Sequence, residues 1–183
     1  MGSSEVYASH STWSDYYSMI RVFKDYTFSF KSTGSVHVFF SSYPGATCSI
    51  DDFYQLDSGL VVMETTNDIY NLSLYEEVVP QSLLTSYRVL LANMLSTTGS
   101  DWTDTFALHN SGTYNNQWIV VDYYKVSTAA EQLEQGTVWV LEQIPGEVEA
   151  ADMTAFVNNN SYWGRYYMTA FVNMNTPLER LPL

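Results

Sequence analysis

Two periods of hydrophobic spacing run through the chain. Residues 12–26, TWSDYYSMIRVFKDY, place Trp13, Tyr16, Tyr17, Ile20, Phe23 and Tyr26 three and four positions apart. That spacing predicts one face of an amphipathic helix, with Ser11 or Thr12 as its cap. The same period returns in 80–95, where Leu83, Leu84, Tyr87, Leu90, Leu91, Met94 and Leu95 form a stripe. Pro80 at its start and Gly99 past its end fit helix boundaries. A shorter helix is expected over 101–108, capped by Ser100. The two-residue period predicts strands at 35–40, 117–126, 136–145 and 147–151. Residues 51–66 read as two strands joined at Asp57-Ser58-Gly59, and Pro44-Gly45 as a turn. The result is one α+β domain, with helices first and a mostly antiparallel sheet after them. The segment 127–136 is short enough to be a hairpin loop.

The stretch NSGTYNNQWIVVDYY (110–124) does not fit either period at its start. Asn110, Asn115 and Asn116 crowd side-chain amides against a β-branched run, Ile119 to Val121. Buried amides need partners, so these three are expected mainly to satisfy backbone groups where a loop enters the sheet.

Composition narrows the class. The chain has 183 residues, 46% of them hydrophobic and 16% aromatic, which is enough for a sizeable core and excludes global disorder. A net charge of −13 argues against nucleic acid and against an anionic membrane surface as partners. There is no 18-residue apolar run, so no membrane span is expected. The start, MGSSEVYASH, has neither a basic nor an apolar region of the kind a secretion signal needs. Asn71-Leu72-Ser73 and Asn159-Asn160-Ser161 have the form of glycosylation acceptors. One cysteine, Cys48, excludes an internal disulfide framework and a multi-cysteine metal site.

Candidate chemistry is sparse. His10 lies between a short strand and the first expected helix. It either points into a cleft to orient a substrate or nucleophile, or is a surface residue beside a cap. Cys48 follows a Pro-Gly turn and has no His or Lys near it in sequence, so a buried inert thiol is the better reading than a nucleophile. Asp51, Asp52, Asp57 and Glu64 could do acid–base work or hold a hard cation, but a turn and a solvated hairpin end explain them more simply. Thr65 and Thr66 end a strand, where a hydroxyl or N–H can serve an oxyanion. His37 alternates within an apolar strand and reads as structural, and His109 stands alone. No cofactor-binding motif is present.

Five segments, SHSTW, FSSYPGA, DDFYQLDSGLVVMETT, NSGTYNNQWIVVDY and LEQIPG, occur in this order. Together they resemble the phospholipase B-like proteins, over about residues 5–167, with 168–183 divergent. The resemblance implies part of an αββα sandwich of the N-terminal nucleophile hydrolases, lysosomal or secreted. In that class a cysteine exposed by autoproteolysis attacks an acyl ester or amide, with its own α-amine as base. The implied substrate is an acyl lipid or amide, in lipid degradation, with no cofactor and no metal. Residue by residue, His10 and Trp13 match pocket positions and Thr66 a bordering Thr. Tyr167 stands where the family pattern has a pocket Asn. The segment before His10 has no Cys, and Cys48 is in a different segment from the family nucleophile. The chain is therefore expected to be an internal piece, inactive alone. The alternative is a non-catalytic binding domain, whose uncovered sheet faces would be met by the remainder of the domain or a partner.

Overall fold

In the computed structural model, residues 5–29, 37–49, 51–127 and 129–164 are described. They hold seven strands: β1 (Val22–Thr27), β2 (His37–Ser42), β3 (Phe53–Leu56), β4 (Leu60–Thr66), β5 (Asn116–Asp122), β6 (Val138–Ile144) and β7 (Glu147–Asp152). Each pairs antiparallel with the next, giving one sheet in the order β1 to β7. Helices α1 (Thr85–Leu95) and α2 (Gly99–Ala107) sit between β4 and β5 in the chain, and α3 (Thr154–Asn160) follows β7. The α+β class with an antiparallel sheet is thus observed.

The two-residue period sets which side chains are covered. Leu60 and Val62 of β4, Trp118 and Val120 of β5 and Leu141 of β6 share one face. They meet Val89 and Ala92 of α1 and Trp102 and Phe106 of α2 in the main core. Three rings meet there: Trp102 stacks on Phe106 with centroids 4.9 Å apart, and Trp118 packs tilted against Phe106 at 5.0 Å. Each fully buried side chain of this size stabilises by about 1.5–3 kcal/mol. The opposite face is only partly covered. There Val138, Val140 and Met153 pack with Ile119 and with Phe156, Val157 and Trp163, at and just after α3.

The expected first helix, 12–26, does not form. The chain makes one 3-10 turn at Tyr16–Ser18 and then enters β1. Ser18 donates to the Asp15 carbonyl (2.7 Å) and to Ser14 Oγ (2.9 Å), local bonds that compete with helix hydrogen bonding. Phe23 stacks on Phe39 (5.7 Å) and Tyr26 meets Phe40 edge-on (5.0 Å), so the aromatics serve cross-strand packing. Strands therefore precede the long helices.

Other boundaries moved for local reasons. Helix α1 begins at Thr85, five residues after Pro80, because Leu83 bridges Asn110 and its N–H bonds the His109 carbonyl at 3.0 Å. Helix α2 is capped by Thr98, whose Oγ1 accepts from Asp101 N at 3.2 Å, and Ser100 falls inside its first turn. Strand β5 stops at Asp122, whose carboxylate accepts from Tyr124 N at 3.0 Å and turns the chain. The hairpin and the Pro-Gly turn form as expected. Gly59 has φ +82°, and a Cβ there would lie 2.6 Å from the Tyr124 ring. Helix α3 was not expected. The first residues of the strand read at 35–40, and the tail 168–183, lie outside the described residues.

Candidate active site

Among the described residues, 5–15 form no helix or strand, and contacts at Val6, His10 and Thr12 hold them in place. The Tyr123 hydroxyl donates to the Val6 carbonyl at 3.2 Å. Thr12 Oγ1 donates to Asp51 Oδ1 at 2.7 Å. His10 Nε2 lies 3.5 Å from Glu64 Oε1, with both side chains largely buried, at 13% and 7% exposure. This strap walls one side of a cavity of about 860 Å³. The other walls are the end of β4 (Met63 to Thr66), Ile119 and Val121 of β5, Val138 of β6, and residues from Val157 to Gly164. The cavity has an apolar floor with polar groups concentrated where β4 ends.

Three carboxylates stand at that end, and all are buried, not at a solvated hairpin end as the sequence suggested. Asp51 accepts from Thr12, from Ser41 Oγ at 2.7 Å, and from Arg21 Nε at 2.8 Å. Burial pushes its carboxyl up, but these three donors outweigh it and hold the pKa below the usual carboxylate value. Asp52 is 2% exposed. Tyr54 donates to its Oδ1 at 2.7 Å and Tyr114 to its Oδ2 at 2.5 Å. Burial dominates here and pushes Asp52 up to about 7, against the two hydroxyls, with the nearby Glu64 charge adding to the rise and His10 opposing it. Burial likewise raises Tyr54 and Tyr114, with Asp52 reinforcing it, so both phenols stay protonated donors. Asp52 also has φ +45°, a costly conformation for a residue with a Cβ. The hairpin places Asp52 and Glu64 across from one another: Glu64 N–H bonds the Asp52 carbonyl at 3.2 Å.

His10, Trp13 and Thr66 all line this one cavity. His10 sits at the Glu64 wall, Thr66 at the end of β4, and Trp13 on the rim, 65% exposed. Cys48 does not line it, and its side chain is exposed and not buried as expected. Its carbonyl accepts from Ser42 Oγ at 2.7 Å, which ties down the backbone and leaves the thiol outside the core. His37 is half exposed beside Asp25, not within the apolar side of its strand. Asn71 and Asn159 are both exposed. Tyr167 lies outside the described residues. Tyr54 and Tyr114 were not singled out, and Asp52 and Glu64, named as acid–base candidates, were read as solvated where the structure buries them. The available signal was the doublet Asp51-Asp52 opening a strand whose alternation puts Asp52 on the same side as buried Tyr54.

The amide-rich stretch divides. Asn110 Nδ2 donates to the Ile144 carbonyl (2.8 Å), and its Oδ1 accepts from Gly112 N and from Arg88 Nη1, each at 3.1 Å. Asn115 Nδ2 donates to the Gly112 carbonyl at 2.9 Å. These two bridge backbone as expected. Asn116 does not: it is fully buried, and neither side-chain polar atom has a hydrogen-bond partner.

The phospholipase B family profile matches residues 1–176. Phospholipase B-like protein B of Dictyostelium discoideum is 45% identical over 178 residues, 94% of this chain and 31% of that protein. Phospholipase B-like 1 of Bos taurus is 45% identical over 167 residues, 90% of this chain and 30% of its own length. Phospholipase B of Crotalus adamanteus is 42% identical over 167 residues, covering the same shares. The chain spans about a third of the length of these relatives. With a profile match over nearly its whole length, the chain belongs to the phospholipase B family.

Proposed function

We propose that the cavity recognises the acyl group of an ester- or amide-linked lipid, as one wall of a phospholipase B-like hydrolase acting in lipid degradation. The observation that carries this reading is the convergence of His10, Trp13 and Thr66 on a single cavity with an apolar floor. Met63, Ile119 and Val121 offer the surface an acyl chain needs. Thr66, at the strand end, can donate to the carbonyl oxygen, and His10, held by Glu64, orients the reacting group. The sheet serves as one layer of an αββα sandwich of the N-terminal nucleophile type. The sequence has a single thiol, and Cys48 stands away from the cavity. The 183-residue chain by itself therefore binds acyl substrates without turning them over. A lysosomal or secreted setting suits the two exposed acceptor sites, Asn71 and Asn159.

A second reading is a non-catalytic interaction domain. It draws on the exposed Tyr16, Tyr17, Met19, Ile20 and Phe23, which a partner or the rest of the domain would cover. One experiment separates the two. Purified 1–183 is incubated with dispersed phosphatidylcholine and with an N-acyl amide, and both fatty-acid release and acyl binding are followed. The expected result is saturable acyl binding, weakened in Met63→Asp, with no release above blank. Release that disappears in His10→Ala would overturn the inactivity of this chain. Absence of acyl binding by the folded chain would overturn the acyl reading and leave the interaction domain.

A further inference from the structure

Two residues that carry a Cβ hold left-handed backbone and meet side chain to side chain. Asp52 has φ +45° and Tyr114 φ +52°. Tyr114 Oη donates to Asp52 Oδ2 at 2.5 Å, joining the start of β3 to the loop before β5. Such backbone persists only where its surroundings hold it, and it gathers at ligand clamps and switches. Here the strain stands at a wall of the cavity, which Tyr114 lines together with Tyr43.

The two phenols on Asp52 differ in freedom. Tyr54, which donates to Oδ1, is buried and packs against Phe40 with ring centroids 5.5 Å apart. Tyr114 is 42% exposed. Its carbonyl accepts from Gln143 Nε2 at 3.0 Å, so the backbone is tied and the ring is the part that can swing. An ionised carboxylate accepts from both phenols, whereas protonation turns one of its oxygens into a donor. The bond to Tyr114 then loses its charge, and charge-assisted hydrogen bonds are about twice as strong as neutral ones. The groups facing Asp52 are Tyr54 from β3, Tyr114, Glu64 from β4 and His10 from the strap. Burial and the Glu64 charge favour the protonated form, and the phenols and His10 favour the ionised one. Arg21 and Thr12 are engaged by the neighbouring Asp51. These opposing influences leave the Asp52 carboxyl poised at about 7.

We propose that Asp52 and Tyr114 form a proton-operated latch on the cavity wall: ionised Asp52 holds the Tyr114 ring inward, and protonated Asp52 lets it loosen toward solvent. Tyr54 stays in place in both states. The latch belongs to the wall without any ligand, so it stands or falls separately from the acyl reading.

The test follows the 183-residue chain by NMR from about pH 8.5 to about pH 5.5, with carbon-13 in the tyrosine rings and aspartate carboxyls. Tyr114 signals are assigned by their loss in Tyr114→Phe. The Asp52 carboxyl is expected to titrate at about pH 7, with the Tyr114 ring moving at the same midpoint and the Tyr54 ring far less. Relaxation of the Tyr114 ring by a neutral dissolved paramagnet, which reads exposure, should rise in acid. Glu64→Gln should lower the midpoint by removing a like charge. Tyr114→Phe should raise the Asp52 midpoint by about one on the pH scale, as for loss of one charged hydrogen bond. Asp52→Asn should hold Tyr114 near its acid position at every pH, and His10→Ala should leave the transition present. A Tyr114 ring that keeps its signal and exposure throughout, or turns inward in acid, would overturn the proposal. A transition that survives in Asp52→Asn, or vanishes in His10→Ala, places the proton elsewhere and sinks it as well. If Asp52→Asn does not fold, the unaltered chain decides: different midpoints for Asp52 and Tyr114 remove the latch.

Discussion

The two faces of the sheet obey the same alternation and reach opposite ends. On the helix side, Trp118 and Val120 disappear under α1 and α2 and are fully buried. On the other side, Ile119, one residue along, remains partly exposed at the floor of a cavity. The helix side shows what a single layer can close for itself. The cavity side shows what is left when, among the described residues, α3 and an irregular strap do the covering. The first face is closed by the fold's own helices, and the second borders the cavity.

Trp118→Ala is the strongest challenge to that division. It removes the ring that packs tilted against both Trp102 and Phe106, and a loss of about 3–5 kcal/mol is expected in urea unfolding. Ile119→Ala, on the cavity side, should cost about 1 kcal/mol, because its side chain gives up less buried area. Equal losses would show that the two faces contribute alike.

Helix-side packing was largely legible from sequence, and the cavity side was not. Leu60, Val62, Trp118 and Val120 announce their strands by alternation alone. The apolar residues of 12–26 misled because three- and four-residue spacing arises by accident when an aromatic-rich edge strand follows a turn. The local bonds of Ser14, Asp15 and Ser18 then decide the outcome, and no periodicity reports them. His10 and Thr66 stood out from their places at element ends and Trp13 through the family resemblance; their spacing along the chain gave no sign that they meet. The buried carboxylates were legible least of all. Asp52 and Glu64 look like surface residues until the hairpin register sets them opposite each other, beneath Tyr54 and Tyr114.

Asp52 provides a second, pH-dependent contrast within the site. Its folded pKa is about 7, above the unfolded value of 3.8. The folded state therefore binds the extra proton between those values. The stabilisation this brings is complete below about pH 4 and is lost as pH rises through about 7. Asp52→Asn keeps the shape and cannot ionise. It is expected to gain stability over the parent at pH 8 by an amount on the order of a few kcal/mol, and to show little difference at pH 4. Thermal unfolding of both chains across pH 4–8 reads the slope. General self-repulsion of a chain of net charge −13 acts on both and cancels in the difference. Parallel curves for the two chains would mean that Asp52 is ionised throughout.

The smallest expected effect tests the strap. Thr12→Val keeps the shape of the side chain and removes the donor to Asp51, one of three that hold that carboxylate. A net loss of about 0.5–1.5 kcal/mol is expected, since Ser41 and Arg21 remain. The sign with pH is opposite to that of Asp52. Asp51 has a lowered folded pKa, so its contribution is present above the unfolded value and fades as the carboxylate is protonated in acid. Removing Thr12 reduces that contribution, and the parent and variant should converge at low pH. The change should also be local: residues 5–14 become easier to cleave by protease at neutral pH, while amide exchange in β4 and β5 stays as in the parent. Faster exchange throughout the sheet would show that the strap is part of the core after all, and that the cavity face is closed by the same cooperative structure as the helix face.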